Sequence, residues 1–181
     1  ILGRIVNSLK GHDVLIDSFK KLVKSFNNLR LIIVGEGEYK KKLEIKVKNN
    51  NLENYILFTG FVNETEMNKI WSSTDLFAMP SKTEGFGLVY IEAMRYSIPV
   101  ICSNEDSGCE INKDGHTGYN VNLNNKDQLT KKIADLIKNK EMRIKMGINA
   151  NKLWKEKFNL TAYEKRLENF LIPKLTDLQK K

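Results

Sequence analysis

Two cysteines and two histidines are all that this 181-residue chain contains of the residues that usually staple or metallate a small protein. So few thiols exclude a disulfide framework. Cys102, in an apolar run, and Cys109, in a polar loop, read as reduced thiols of a cytosolic setting. A structural zinc site would need more Cys and His at close spacing. Long hydrophobic runs are missing too, since none approaches the roughly 20 apolar residues of a membrane-spanning helix. The opening ILGRIVNSLKG lacks the apolar stretch of a signal peptide. Ile1-Leu2-Gly3 already has strand character, so a preceding segment is expected. Neither histidine has an acid or nucleophile at a recognisable spacing. His12 is expected to cap a helix or face solvent, and His116 to lie in a turn.

Negative charge is outweighed, with 22 Asp and Glu against 30 Lys and Arg, for a net charge of +8. The run YKKKLEIKVK and the lysines between Lys131 and Lys157 suit an anionic surface. Their interleaving with apolar residues at helical spacing reads instead as solvated helix faces. Aromatics do not alternate with the basic residues as they do in single-strand binders, so no nucleic-acid partner is expected. Peripheral contact with an anionic membrane at its cytoplasmic face stays open.

The 41% hydrophobic residues are enough to core one domain of this length. Apolar runs at 31–35, 55–60, 75–80, 98–103 and 119–123 alternate with amphipathic stretches at 14–26, 39–47, 64–72 and 88–94. Runs apolar on both faces mark buried parallel strands. With the opening strand, the alternation predicts an α/β, Rossmann-like, doubly wound sheet of about six strands with helices on both faces. Helices alone follow, at 127–139, 141–157 and 161–171, the last with a Thr161–Glu164 capping-box pattern. One domain over 1–173 is expected, with a polar tail at 174–181.

In such sheets ligands bind at the carboxyl ends of the strands. The loops there are 6–11, 35–37, 60–63, 81–87 and 103–108, and each contains glycine. In TEGFGLVYIEAM, Gly85 and Gly87 lead from a strand into an apolar helical stretch. That arrangement offers free N–H groups to an anion, and it also fits an ordinary turn with Phe86 plugging the core. Glu84 and Glu92 are eight residues apart. Over helix that is a rise of about 12 Å. Carboxylates that straddle one glycosidic bond lie about 5–9.5 Å apart. The pair therefore suits two parts of a long ligand, such as a nucleotide-sugar, and a solvated Glu92 fits equally. Arg4 and Lys10 flank the first loop and could offset the growing charge of a leaving diphosphate.

The ordered set GR-x5-KG, IIVGEGE, LFTGFV, EGFGLVYIEAM, PVICS, SGCEI and DGHTGYNV resembles the donor-binding, C-terminal domain of family 4 retaining glycosyltransferases of GT-B fold. The resemblance runs from about Gly3 to Phe170. It implies that Arg4 and Lys10 bind the donor diphosphate, with Glu84 at the transferred sugar and Glu92 on the ribose hydroxyls. The backbone of Gly85, Phe86, Gly87, Leu88 and Val89 would wrap sugar and phosphates, and Gly60 and Val62 would lie near the base. Arg4, Lys10 and Glu84 would act in catalysis. It further implies front-face displacement without a bound metal or other cofactor, a UDP-sugar as favoured donor, and a glycan or lipid-linked acceptor. Cell-surface polysaccharide synthesis is the implied setting.

The chain departs from the family in spanning one of its two domains, so the acceptor-binding domain and the histidine it often supplies are missing. The 103–110 loop has one glycine where many members have two. Other readings are a nucleotide-sugar epimerase of the same fold, a phosphorylase relative, for which no pyridoxal-lysine motif is present, and a non-catalytic basic module.

Overall fold

The computed structural model describes residues 1–125 and 127–179, the side chains of 173–179 excepted. Strands β1 (Leu31–Val34), β2 (Ile56–Gly60), β3 (Phe77–Met79), β4 (Val100–Ser103) and β5 (Gly118–Val121) alternate with helices α1 (His12–Leu22), α2 (Lys40–Asn49), α3 (Glu64–Ser72), α4 (Leu88–Arg95) and the single turn α5 (Gly108–Ile111). Helices α6 (Gln128–Lys138), α7 (Lys140–Lys157) and α8 (Leu160–Gln179) follow. All strand pairs are parallel, β1 with β2 and β3–β4–β5 in order. This is the expected Rossmann-like α/β architecture with five named strands. The opening segment takes the sixth place only in part. Leu2 bridges Val34 in parallel, and Gly3 N–H donates to Val34 O at 3.0 Å.

The parallel pairing follows from the apolar runs. All of β4 is buried, so its two faces are covered by helices and neither needs polar residues. On α1, Leu15, Ile16, Phe19 and Leu22 form the buried stripe, at the spacing of one helix face. Leu129, Ile133 and Leu136 do the same on α6, which packs against α1. Trp71, Phe77 and Tyr90 form an edge-to-face row, with centroids 5.3 Å and 5.9 Å apart, that carries the core from α3 to the start of α4. Helix α8 begins at Leu160, and the Asn159 side chain accepts from Ala162 N–H at 2.7 Å, in place of the expected Thr161–Glu164 cap. The polar tail expected at 174–181 falls where side chains, and at 180–181 the backbone too, lie outside the described residues.

Gly11 fixes how α1 meets the sheet. Its φ of 79° is left-handed, and a Cβ there would lie 2.1 Å from Pro80 O. Gly11→Ala is expected to destabilise the fold by about 2–4 kcal/mol, from overpacking and backbone strain together. A loss below about 1 kcal/mol in chemical denaturation would show that the α1–β3 contact gives way freely.

His12 opens α1 fully buried, with neither ring nitrogen hydrogen-bonded among the described residues. It neither caps the helix nor meets solvent, contrary to the expectation. Burial, then the charges of the Ile1 amino group and Lys10, lower its pKa to about 4, with Asp13 opposing. The imidazole is therefore neutral in the folded state while the unfolded chain binds a proton below about pH 6.5. Its contribution to stability is complete above that pH and is lost as pH falls toward 4. The loss amounts to at most about 3 kcal/mol. Denaturant unfolding over this range should show that slope, and His12→Gln should flatten it.

A cavity of about 390 Å³ lies at the amino ends of β1 and β3, lined by Leu2, Phe19, Leu31, Trp71 and Phe77 among others. It is mostly apolar, at the opposite end of the strands from the glycine loops, and touches none of Arg4, Lys10 and Glu84.

Candidate functional site

The glycine loops at the carboxyl ends of the strands stack on one another. A Cβ on Gly35 would lie 2.0 Å from Gly3 O, and Gly35 N–H donates to Gly60 O at 3.0 Å. Backbones of the first, second and third loops therefore abut, leaving no side chain between them. Across Gly3 runs the Lys10 side chain, whose Nζ lies 3.1 Å from where a Gly3 Cβ would stand. Lys10 reaches over the first loop to Glu84, and Nζ donates to Oε2 at 2.8 Å. Both side chains are about four-fifths shielded from solvent, so this pair interacts more strongly than a surface ion pair. The structure thus brings together two predicted residues 74 positions apart. Arg4 lies beside them on the first loop, exposed, with no ion pair among the described residues.

Gly87 makes the turn into α4, with φ of 81°. Its missing side chain leaves room for Tyr90, whose ring would lie 2.6 Å from a Cβ there. Before and after this turn the backbone N–H groups of Gly85, Phe86, Gly87, Leu88 and Val89 have no acceptor among the described residues. Helix starts leave donors open by construction. Here the open run begins two residues before the cap and follows directly on the Lys10–Glu84 pair. Phe86 is 59% exposed and is no core plug, and Leu88 is equally open to solvent. Glu92 sits in the middle of α4, exposed, without a hydrogen bond or ion pair among the described residues; nearby atoms displace enough water to raise its carboxyl above the ordinary range.

Gly60 ends β2 with φ of 72°, and Glu36, paired with Lys40 at 2.7 Å, crowds its α-carbon. Val62 is half-buried beyond it, and Phe61 between them is 87% exposed. No printed contact joins this loop to Lys10 or Glu84; the two groups share only the glycine stack.

Sequence reasoning missed how the 103–108 loop is tied to the 81–87 loop. Ser107 Oγ donates to Glu84 O at 2.9 Å, and Ser103 Oγ donates to Ser81 O. Tyr90 Oη bonds the carboxylate of Asp106 at 2.8 Å, and Asp106 Oδ1 accepts from Gly108 N–H at 2.7 Å. One hydroxyl inside the apolar run 88–94 was the sole available signal. Cys109, half-exposed, and Cys102, buried, are both free thiols, and burial pushes the Cys102 thiol up. Among the described residues no group of three His, Cys, Asp or Glu side chains could hold a metal ion.

A family model for glycosyl transferases group 1 matches residues 1–153. The chain belongs to this family. An uncharacterized glycosyltransferase of Methanocaldococcus jannaschii is 35% identical over 147 residues, covering 81% of this chain and 40% of that protein. A GDP-mannose-dependent alpha-(1-6)-phosphatidylinositol monomannoside mannosyltransferase of Mycolicibacterium smegmatis is 30% identical over 160 residues, covering 84% and 41%. The chain thus spans about two fifths of these relatives' length. Among solved structures, the C-terminal domain of a glycosyl transferase group 1 protein (LpcC) from Francisella tularensis superposes with TM-score 0.80 at 28% identity, covering 88% of this chain and 85% of that one. TarM of S. aureus, in a complex with UDP, Fondaparinux and alpha-GlcNAc-glycerol, gives TM-score 0.82 at 28% identity, covering 92% and 34%. This group 1 chain therefore has the GT-B C-terminal domain architecture that its motifs resemble. No described helix is long and apolar enough to cross a membrane.

Proposed function

We propose that residues 1–173 are the donor-binding half of a retaining glycosyltransferase that takes a nucleoside-diphosphate sugar, a UDP-sugar by preference. The carrying observation is the run of unpaired N–H groups from Gly85 to Val89 directly after the Lys10–Glu84 pair. A diphosphate would accept from those amides at the positive end of α4 and meet Lys10 and the unpaired Arg4 on its other side. Glu84 would face the transferred sugar, Glu92 the ribose, and Gly60 and Val62 the base. In the step itself the sugar–phosphate bond breaks, and a phosphate oxygen takes the proton of the acceptor hydroxyl. That hydroxyl oxygen then bonds the sugar carbon on the same face. Lys10, Arg4 and the amides would offset the leaving charge without a metal or other cofactor.

The acceptor, a glycan or lipid-linked sugar of surface-polymer synthesis, would be held by protein outside this chain. The relatives support the class and divide on the base: one is named for GDP-mannose, another was solved with UDP. A purely basic binding module finds less support. Lys21, Lys40 and Lys46 are each paired with a carboxylate, at 2.7, 2.7 and 2.8 Å. Calorimetry of the full-length protein with UDP, GDP and their sugars provides the test. Saturable UDP binding, tighter than GDP, is expected; tighter GDP binding would replace the donor, and no binding of either would end the proposal.

A further inference from the structure

Tyr90 Oη makes two oxygen contacts in the core, to Met79 O and to Asp106 Oδ2, both at 2.8 Å. A phenol has one proton to give. Tyr90 cannot gain or lose it readily, since burial pushes its pKa far up. A backbone carbonyl has none. If the phenol donates to Met79 O, the second short contact needs a proton from Asp106, whose other oxygen already accepts from Gly108 N–H. Without it two lone pairs would face each other in a buried site, a costly arrangement.

Asp106 is 6% exposed, and the Tyr90 ring above it fills the space left by two glycines. A Cβ on Gly108 would lie 2.5 Å from the ring, and one on Gly87 2.6 Å. Tyr90 and Asp106 therefore hold the 103–108 loop against the 81–87 loop through one proton and two glycine faces.

We propose that Asp106 is a neutral carboxylic acid whose proton, passed to Tyr90, latches the 103–108 loop onto the loop of Glu84 and the open amides. It is a positioning residue, acting through Tyr90 and the loop, and its effect on donor affinity rests on the function proposed above. The ionisable groups around it are Tyr90 on α4, Cys102 on β4, Glu84 and Lys10 across the site, and Cys109, which bonds Asp106 O at 3.0 Å. Burial is the largest influence on the carboxyl and raises it, as does Glu84; Tyr90, Gly108 N–H and Lys10 pull it down without reversing the direction. The latch is complete at low pH and is lost as pH rises through that raised pKa.

Asp106→Asn and Asp106→Ala in the full-length protein separate the outcomes. Asparagine can donate to Tyr90 and accept from Gly108 without titrating. UDP affinity should stay within about twofold in the asparagine variant and fall about tenfold in the alanine variant. The unchanged protein should lose affinity toward alkaline pH relative to Asp106→Asn. An infrared difference spectrum between the two at neutral pH should show a carboxylic-acid C=O band belonging to Asp106. A carboxylate band there, or an asparagine variant as weak as the alanine one, overturns the latch. If UDP binds none of these proteins, the function above fails, and the infrared band alone still decides the proton.

Discussion

UDP binding to the Lys10→Ala protein is expected to be about a hundredfold weaker than to the unchanged protein. The removed ammonium is a charge-assisted donor in a largely shielded place, a contact worth about 1.5–3 kcal/mol. Its loss also leaves Glu84, its partner at 2.8 Å, as an uncompensated negative charge beside the incoming phosphates. Both effects act in the same direction. Lys21→Ala, in the last turn of α1 at the end away from Gly11, should leave UDP affinity unchanged, because Lys21 pairs only with the exposed Asp127. If both substitutions weakened binding alike, the general basic surface would be holding the nucleotide. Titration calorimetry at one fixed ionic strength reads the difference.

Glu84→Gln is expected to split binding from turnover. The glutamine keeps the shape of the loop and removes the negative charge that occupies Lys10 in the free protein. UDP should then bind several-fold tighter. Sugar transfer by the full-length protein should fall by about 10²–10³, the range for losing one electrostatic group at a reacting centre. A residue that served only to anchor the loop would move both quantities the same way. Measuring UDP affinity and kcat on the same preparation distinguishes the two cases, and parallel losses would place Glu84 in the scaffold.

Those expectations rest on residues visible in the sequence and on a geometry that was not. The apolar runs at 31–35, 55–60, 75–80 and 98–103 became β1 to β4 because two covered faces leave a pattern that periodicity can read. The opening segment gave less than its apolar start suggested, a single bridge to Val34, since the glycines around it bring backbones close without a full ladder. The turn of helix at Gly108–Ile111 is too short to show a period. Phe86 fitted a core plug by type, yet it points to solvent because the space beneath Gly87 is filled by Tyr90.

The site divides in the same way. Lys10 and Glu84 could each be singled out by neighbouring glycines, but their pairing comes from the alignment of β3 beside the first loop, a tertiary fact. Tyr90 with Asp106 was not legible at all. Tyr90 stands where an apolar helix residue would serve, and Asp106 is one acid among polar neighbours. Only the fold over β4 brings them within 2.8 Å. His12 shows the reverse error: a polar residue at a helix start suggests a cap, and packing of α1 on the sheet buries it instead.

The central claim is that the open amides of 85–89, with Lys10, hold a diphosphate. Amide hydrogen exchange of the full-length protein, with and without saturating UDP, tests it most directly. The account predicts slowed exchange at Gly85 through Val89 and at the first loop, abolished by Lys10→Ala. Saturable UDP binding that leaves those amides unchanged, with protection instead around the apolar cavity between β1 and β3, would contradict it.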